Sequence, residues 1–273
     1  MEYHWIRTGQ GDIERLRKAT DGVALLTLAS IEAHGPHLPV GSDTLCIEYV
    51  IEQVLQQEPV AVLPVLGYAN APTARMLPGT INIPTEILQD FVECICDEVC
   101  RNGFRKIALL HAHGGNLGLG KAFAYRILER EKPYTVYSIP VLAGKGDEVS
   151  RMLETTEWGH ACEFETSLNM AACPDLVHLE KLGDKTFPSE KGPDVGCVST
   201  PVDWIAPHPE MVVGEPGKAA PDKGERFARL WAEGIVGCLR KIKSDGVSLP
   251  VMESYGAKVH AVGRQGTVDD EHA

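Results

Sequence analysis

Val23-Ala24-Leu25-Leu26-Thr27-Leu28-Ala29-Ser30-Ile31-Glu32-Ala33-His34-Gly35-Pro36-His37 begins as an almost unbroken apolar run and ends on carboxylate and imidazole side chains. A run without polar alternation is what a strand buried on both faces of a mainly parallel sheet requires. Similar runs, rich in Val, Ile and Leu, stand at Val60 to Leu66, Lys106 to Leu110 and Thr135 to Val141. Between them the apolar spacing becomes helical. Thr44 to Gln57 carries Leu45, Tyr49, Val50, Ile51 and Val54, and Thr85 to Arg101 carries Ile87, Leu88, Phe91, Val92, Ile95 and Val99. Thr85 suits an N-cap and Gly103 a C-terminal stop. Further helices are predicted from Asn116 to Arg130 and from about Pro221 to Lys243, the latter striped by Phe227, Leu230, Trp231, Ile235 and Leu239. Strand and helix thus alternate, which predicts an open α/β fold whose ligands bind at the carboxyl ends of the strands. The clusters at Glu32 and His113 fall at such ends.

With 273 residues and 44% hydrophobic content, the chain has enough apolar material for one domain spanning 1–273. A formal net charge of -12, from 38 acidic against 26 basic residues, argues against nucleic acid or an anionic membrane as partner. The start, Met1-Glu2-Tyr3-His4-Trp5, lacks a basic and then apolar leader, so a cytoplasmic location is expected. The eight cysteines form no CxxC pair, and most read as small core residues. From about Lys181 to Ala220, proline and glycine predict an irregular active-site cover or subunit contact. The tail from about Val259 reads as frayed.

In an extended chain Glu32 and His34 point to one side, and Gly35-Pro36 and Gly41 permit turns that bring Asp43 back toward them. Carboxylates with an imidazole suit zinc, manganese or iron(II). The plainer alternative has Glu32 ion-paired, His34 bonded to a turn and Asp43 capping the following helix. His113 stands at a strand end before Gly114-Gly115, where a backbone can be closely approached; a phosphate cradle is the weaker reading, since no GxxxxGK[ST] pattern is present. His160 and Glu163 share a helical face at i and i+3, whereas Glu165 joins His160 only on irregular backbone. Glu165 otherwise braces a ligand or caps a helix, and Trp158 is otherwise a packed aromatic.

Four segments in order, Ser30-Ile31-Glu32-Ala33-His34-Gly35-Pro36-His37-Leu38-Pro39-Val40-Gly41-Ser42-Asp43, Leu77-Pro78-Gly79-Thr80, His113-Gly114-Gly115-Asn116 and His160-Ala161-Cys162-Glu163-Phe164-Glu165-Thr166-Ser167, resemble the signatures of the creatininase (creatinine amidohydrolase) family. Val213-Gly214-Glu215-Pro216 through Lys223-Gly224 is similar to its C-terminal signature. The resemblance implies a three-layer α/β/α hydrolase with a two-metal site and a homo-oligomer, typically a hexamer. By position it implies Glu32 and His113 on one metal, His34 on the other and Asp43 bridging. Creatininase proper carries a Glu where this chain has Gly115, so Glu163 is favoured over Glu165 as the remaining ligand. His37, Asn116, Trp158, Glu165 and Arg75 are expected around the metals or the substrate. Ala71-Pro72-Thr73-Ala74-Arg75-Met76 departs from the family's substrate-contacting segment, which puts creatinine itself in doubt.

The expected reaction is hydrolysis of a small polar substrate at a cyclic or linear amide carbon–nitrogen bond. Two divalent metals (Zn, Mn or Fe(II)) would ionise a shared water and polarise the carbonyl, with His160 protonating the departing nitrogen. The closest alternative is hydrolysis of a carbon–carbon bond in a cyclic polyhydroxy diketone, followed by formamide deformylation. A non-catalytic metal- or sugar-binding scaffold and a nucleotide-phosphate binder at Gly114-Gly115 are readings of other classes.

Overall fold

A computed structural model describes residues 1–262. Its elements, in chain order, are α1 (Ile13–Ala19), β1 (Val23–Leu28), α2 (Ser42–Leu55), β2 (Ala61–Val62), α3 (Thr85–Arg101), β3 (Lys106–His111), α4 (Leu117–Glu129), β4 (Thr135–Ile139), α5 (Gly146–Met152), β5 (Trp158–His160), α6 (Glu163–Ala172), β6 (Val213–Gly214), α7 (Pro221–Ser244) and α8 (Ser248–Ala261). The central sheet runs β2-β1-β3-β4, all parallel, with Leu28 opposite His111 at the carboxyl end. β5 and β6 form a separate antiparallel pair.

Side chains alternate across the sheet and divide the interior into two cores. Val23, Leu25, Ala108 and Leu110 pack with α2, α6 and α7 through Ile47, Phe164, Phe227 and Trp231. Ala24, Leu26, Leu28, Ile107 and Leu109 pack with α3 and α4 through Leu88, Val92, Leu119 and Phe123. The sheet is therefore the middle of three layers, as expected, and β1 is buried throughout.

Proline accounts for two shortened strands. The run expected from Val60 keeps a ladder only at Ala61–Val62, because Pro64 has no N–H to donate, although Leu66 rejoins β1 through Ala29 N–H to Leu66 O at 2.9 Å. β4 ends at Ile139, before Pro140. Pro84, not Thr85, occupies the N-cap position of α3. Val259, where a frayed tail is expected to begin, lies in α8; the rest of that expectation, 263–273, falls outside the described residues.

One buried charge ties α3 to α4. Glu93, 4% exposed, meets Arg126 Nε at 2.5 Å, Arg130 Nη1 at 2.8 Å and Lys132 Nζ at 2.8 Å. Burial pushes its carboxyl up, but the three cations outweigh that and hold it at about 2. The folded value lies below the ordinary 4.5, so this stability is present above that pH and is lost as pH falls toward about 2. Glu93→Gln is expected to cost about 3 kcal/mol near neutral pH and to flatten the acid limb of a stability–pH curve measured by denaturant unfolding.

Candidate metal centre

Strand ends and helix starts converge at one point. Glu32 and His34 follow β1, and His113 follows β3, so the parallel register carries both segments to the same edge. Asp43 lies in the first turn of α2 and Glu165 in the first turn of α6, where the helix dipole favours carboxylates. His160 ends β5. Gly41 is the residue at the N-cap of α2 and no side chain caps that helix, so Asp43 is free to face inward. Ser30 Oγ donates to Asp43 Oδ2 at 2.7 Å.

The two oxygens of Asp43 face different imidazoles: Oδ1 lies 3.2 Å from His34 Nε2 and Oδ2 lies 3.2 Å from His113 Nδ1. Glu32 Oε1 lies 2.8 Å from His113 Nδ1 and 3.9 Å from His160 Nδ1. Glu165 Oε2 lies 3.8 Å from His34 Nε2. Three groupings result that could each hold a metal ion: Glu32 with Asp43 and His113, His34 with Asp43 and Glu165, and Glu32 with His34 and His160.

Each imidazole turns its other nitrogen to a backbone carbonyl. His34 Nδ1 meets Glu32 O at 3.0 Å, His113 Nε2 meets Asn70 O at 3.1 Å, and His160 Nε2 meets Ala33 O at 2.9 Å. A carbonyl oxygen only accepts, so those nitrogens carry the proton and the opposite nitrogens of the neutral rings are bare. Bare nitrogens therefore face carboxylate oxygens. Although Glu32 Oε1 and His113 Nδ1 approach closely, both Glu32 oxygens and His34 Nε2 are buried without a hydrogen bond. Lone pairs crowded in this way call for a proton on the imidazoles or a metal ion between the donors.

The electrostatics agree. Burial opposes charge on His34, yet Asp43 and Glu165 outweigh it and push the imidazole up to about 10. His113 is likewise raised against its burial by Asp43 and Glu32. Burial pushes Asp43 up, but His34 and His113 hold it well below the carboxylate range; Glu32 is lowered in the same way, by His113. Burial dominates at Glu165 and raises it. The cluster attracts positive charge, and protons and metal ions compete for it.

The structure corrects the expectation for Glu163. Its carboxylate is fully buried away from the cluster, where it accepts from Lys223 Nζ at 2.6 Å and from the N–H groups of Glu154 and Thr155, each at 3.0 Å. Two residues apart on a helix means roughly 200° of rotation, so only one of Glu163 and Glu165 can face the cluster. Ala161, in the left-handed region with φ of 51°, turns the chain from β5 into α6 and donates its N–H to Glu165 Oε2. Glu165→Gln is expected to lose one metal equivalent in elemental analysis. Glu163→Gln should keep both and lower the melting temperature.

The other expected residues divide. His37 Nε2 meets Thr166 Oγ1 at 2.9 Å and pins α6 behind the cluster; burial and nearby His34 push its imidazole down to about 4. Asn116 donates to Leu28 O at 3.3 Å and Ala29 O at 3.4 Å, bracing the end of β1. Trp158 packs edge-on against Phe164 with centroids 6.0 Å apart. Arg75 is exposed, and from its turn it is Thr73 that lines the cavity beside the cluster.

That cavity, about 440 Å³, is lined by Glu32, Asp43, His113, His160 and Glu165 together with Trp204 and Met211. Trp204 and Met211 belong to the stretch expected as a cover or subunit contact, and Trp204 meets the His160 ring edge-on, centroids 6.4 Å apart. Sequence reading missed Thr73, Trp204, Met211, Lys223 and the Asn70 carbonyl. An aromatic within a polar, proline-rich stretch was the signal available for Trp204.

Fold and site together define an α/β protein with a buried carboxylate–imidazole cluster, able to hold metal ions, at the carboxyl end of its parallel sheet. The chain belongs to the creatininase family: the family model described as creatinine amidohydrolase matches residues 9–239. It is similar to a 3-dehydro-scyllo-inosose hydrolase of Thermotoga maritima, 26% identical over 89% of this chain and 81% of that one. It is also similar to a creatinine amidohydrolase of Pseudomonas putida, 28% identical over 82% and 90%, and to a mycofactocin precursor peptide peptidase of Mycolicibacterium smegmatis, 27% identical over 81% and 84%. Among solved structures, a mutant creatininase of zinc–zinc type shares the fold with a TM-score of 0.75, 24% identity, and coverage of 90% of this chain and 100% of that one. The protein is a creatininase-family hydrolase with residue groups able to bind metal ions.

Proposed function

We propose that the protein is a binuclear metal-dependent hydrolase acting on a small substrate at a cyclic or linear amide carbon–nitrogen bond. The observation that carries this reading is that His34 Nε2 and both Glu32 oxygens are buried without hydrogen bonds beside two ligand groupings that share Asp43. Glu32, His113 and Asp43 would hold one divalent ion and His34, Glu165 and Asp43 the other; the mixed donor set suits zinc, manganese or iron(II). Two divalent ions bound there would balance the three carboxylates and would supply an acidic water and Lewis acidity toward a carbonyl.

The remaining work falls to the chain. The cavity beside the cluster admits the substrate, and Trp204 and Met211 give it an apolar wall. His160 keeps its Nε2–H on Ala33 O, so Nδ1 accepts a proton from the attacking water and returns it to the departing nitrogen. Without that proton the nitrogen would leave as a high-energy amide anion.

Supplying metal-loaded enzyme with a panel of amides should release amine; no product from any of them would remove the proposal. A second reading, hydrolysis of a carbon–carbon bond in a cyclic polyhydroxy diketone, is supported by similarity to the inosose hydrolase and would show as a ring-opened keto acid. We read the protein as a cytoplasmic homo-oligomer, a hexamer by its family resemblance. No described helix is long and apolar enough to cross a membrane.

A further inference from the structure

Val213-Gly214-Glu215-Pro216 through Lys223-Gly224, the last of the segments that resemble the family, contributes no residue to the ligand groupings. Its final two residues instead fasten the start of α7 to the start of α6. A Cβ at Gly224 would collide with Ser167 O, so only glycine lets the two helices approach this closely. Ser167 Oγ donates to Glu163 O at 2.6 Å and accepts from Ala220 N–H at 3.1 Å. Lys223 spends its three N–H donors on Glu163 Oε1 at 2.6 Å, Glu154 Oε1 at 2.5 Å and Lys218 O at 2.8 Å. Glu154 is exposed, whereas Glu163 is fully buried, and Lys223 is the one cation paired with it among the described residues.

Glu165 is held far less firmly. It lines the cavity of about 440 Å³ beside the cluster and also a second one of about 260 Å³, which Leu168 and Trp231 line as well. Its carboxylate accepts a hydrogen bond from Ala161 N–H and has open space in both cavities, so its aim is set by how α6 is turned. Because the two glutamates point in nearly opposite directions, whichever is anchored outside decides which one faces in. We propose that Lys223 is a positioning residue for the second metal site, anchoring Glu163 behind α6 and so keeping Glu165 turned to the cluster. This rests on the reading above in which Glu165 is a ligand. Without Lys223, Glu163 would be a buried carboxylate with no counter-ion, and the first turn of α6 would resettle at the expense of Glu165. Removing the charge on Glu163 as well removes the cause.

The test equilibrates zinc-loaded protein against graded free zinc in a chelator buffer and counts the bound metal by elemental analysis. Lys223→Met should hold one equivalent as the wild type does and release the other at about 10- to 100-fold higher free zinc. The double variant Lys223→Met with Glu163→Gln should recover the second equivalent, which a loss of packing alone would not do. Wild-type retention in Lys223→Met, or no recovery in the double variant, overturns the proposal. If melting temperature shows that Lys223→Met does not fold, the double variant is compared with Glu163→Gln. Equal zinc retention there supports the proposal and weaker retention overturns it. Glu165→Gln tells the two readings apart. If it keeps both equivalents, Glu165 is no ligand and both readings fall; if it loses one while Lys223→Met keeps both at wild-type affinity, the positioning role falls alone.

Discussion

Asp43→Ala should lose both metal equivalents in elemental analysis, and hydrolysis should fall by roughly 10³-fold or more. The two carboxylate oxygens of Asp43 face His34 and His113 separately, each at 3.2 Å, so one substitution removes a donor from both groupings. It also leaves bare imidazoles and Glu32 packed together with less negative charge to balance a cation. Asp43→Asn, which keeps the shape and the Ser30 contact but not the charge, should behave similarly. Retention of two metal equivalents in either variant would refute the shared role.

The second large effect is expected at His160. The two groupings that share Asp43 contain three donors each, none of them His160, so His160→Gln should keep both metals while kcat falls about 10²- to 10⁴-fold. The His160 ring stacks on His34 with centroids 4.1 Å apart, and its Nδ1 lies 3.9 Å from Glu32. It is therefore close enough to serve as a ligand as well, in the third grouping. Loss of one metal equivalent in His160→Gln would assign it that role and remove it as the proton carrier. The pH–rate profile gives a second readout, because losing a proton carrier flattens one limb whereas losing a ligand lowers the whole curve.

Legibility in the sequence followed how local each cause was. Apolar runs identified β1, β3 and β4, and helical spacing predicted α3 with the observed bounds, because burial on both faces or along one stripe is written in neighbouring residues. Glu32, His34, Asp43 and His113 were legible for a related reason: each sits at or just beyond a strand end or a helix start that the pattern already located. The short β5–β6 pair and α8 were not, since the pair has only a few residues per strand and α8 presents no buried stripe.

What the sequence determined by itself is the α/β architecture, the family and a set of ligand-type side chains at the carboxyl end of a parallel sheet. Tertiary structure alone decided which glutamate faces the cluster. That choice depends on Lys223 reaching Glu163 from 60 positions away and on Ala161 turning its N–H toward Glu165. It likewise decided that Trp204 lines the cavity beside the cluster and that Trp231 lines a second one, because such contacts join residues distant along the chain, and no local spacing encodes them.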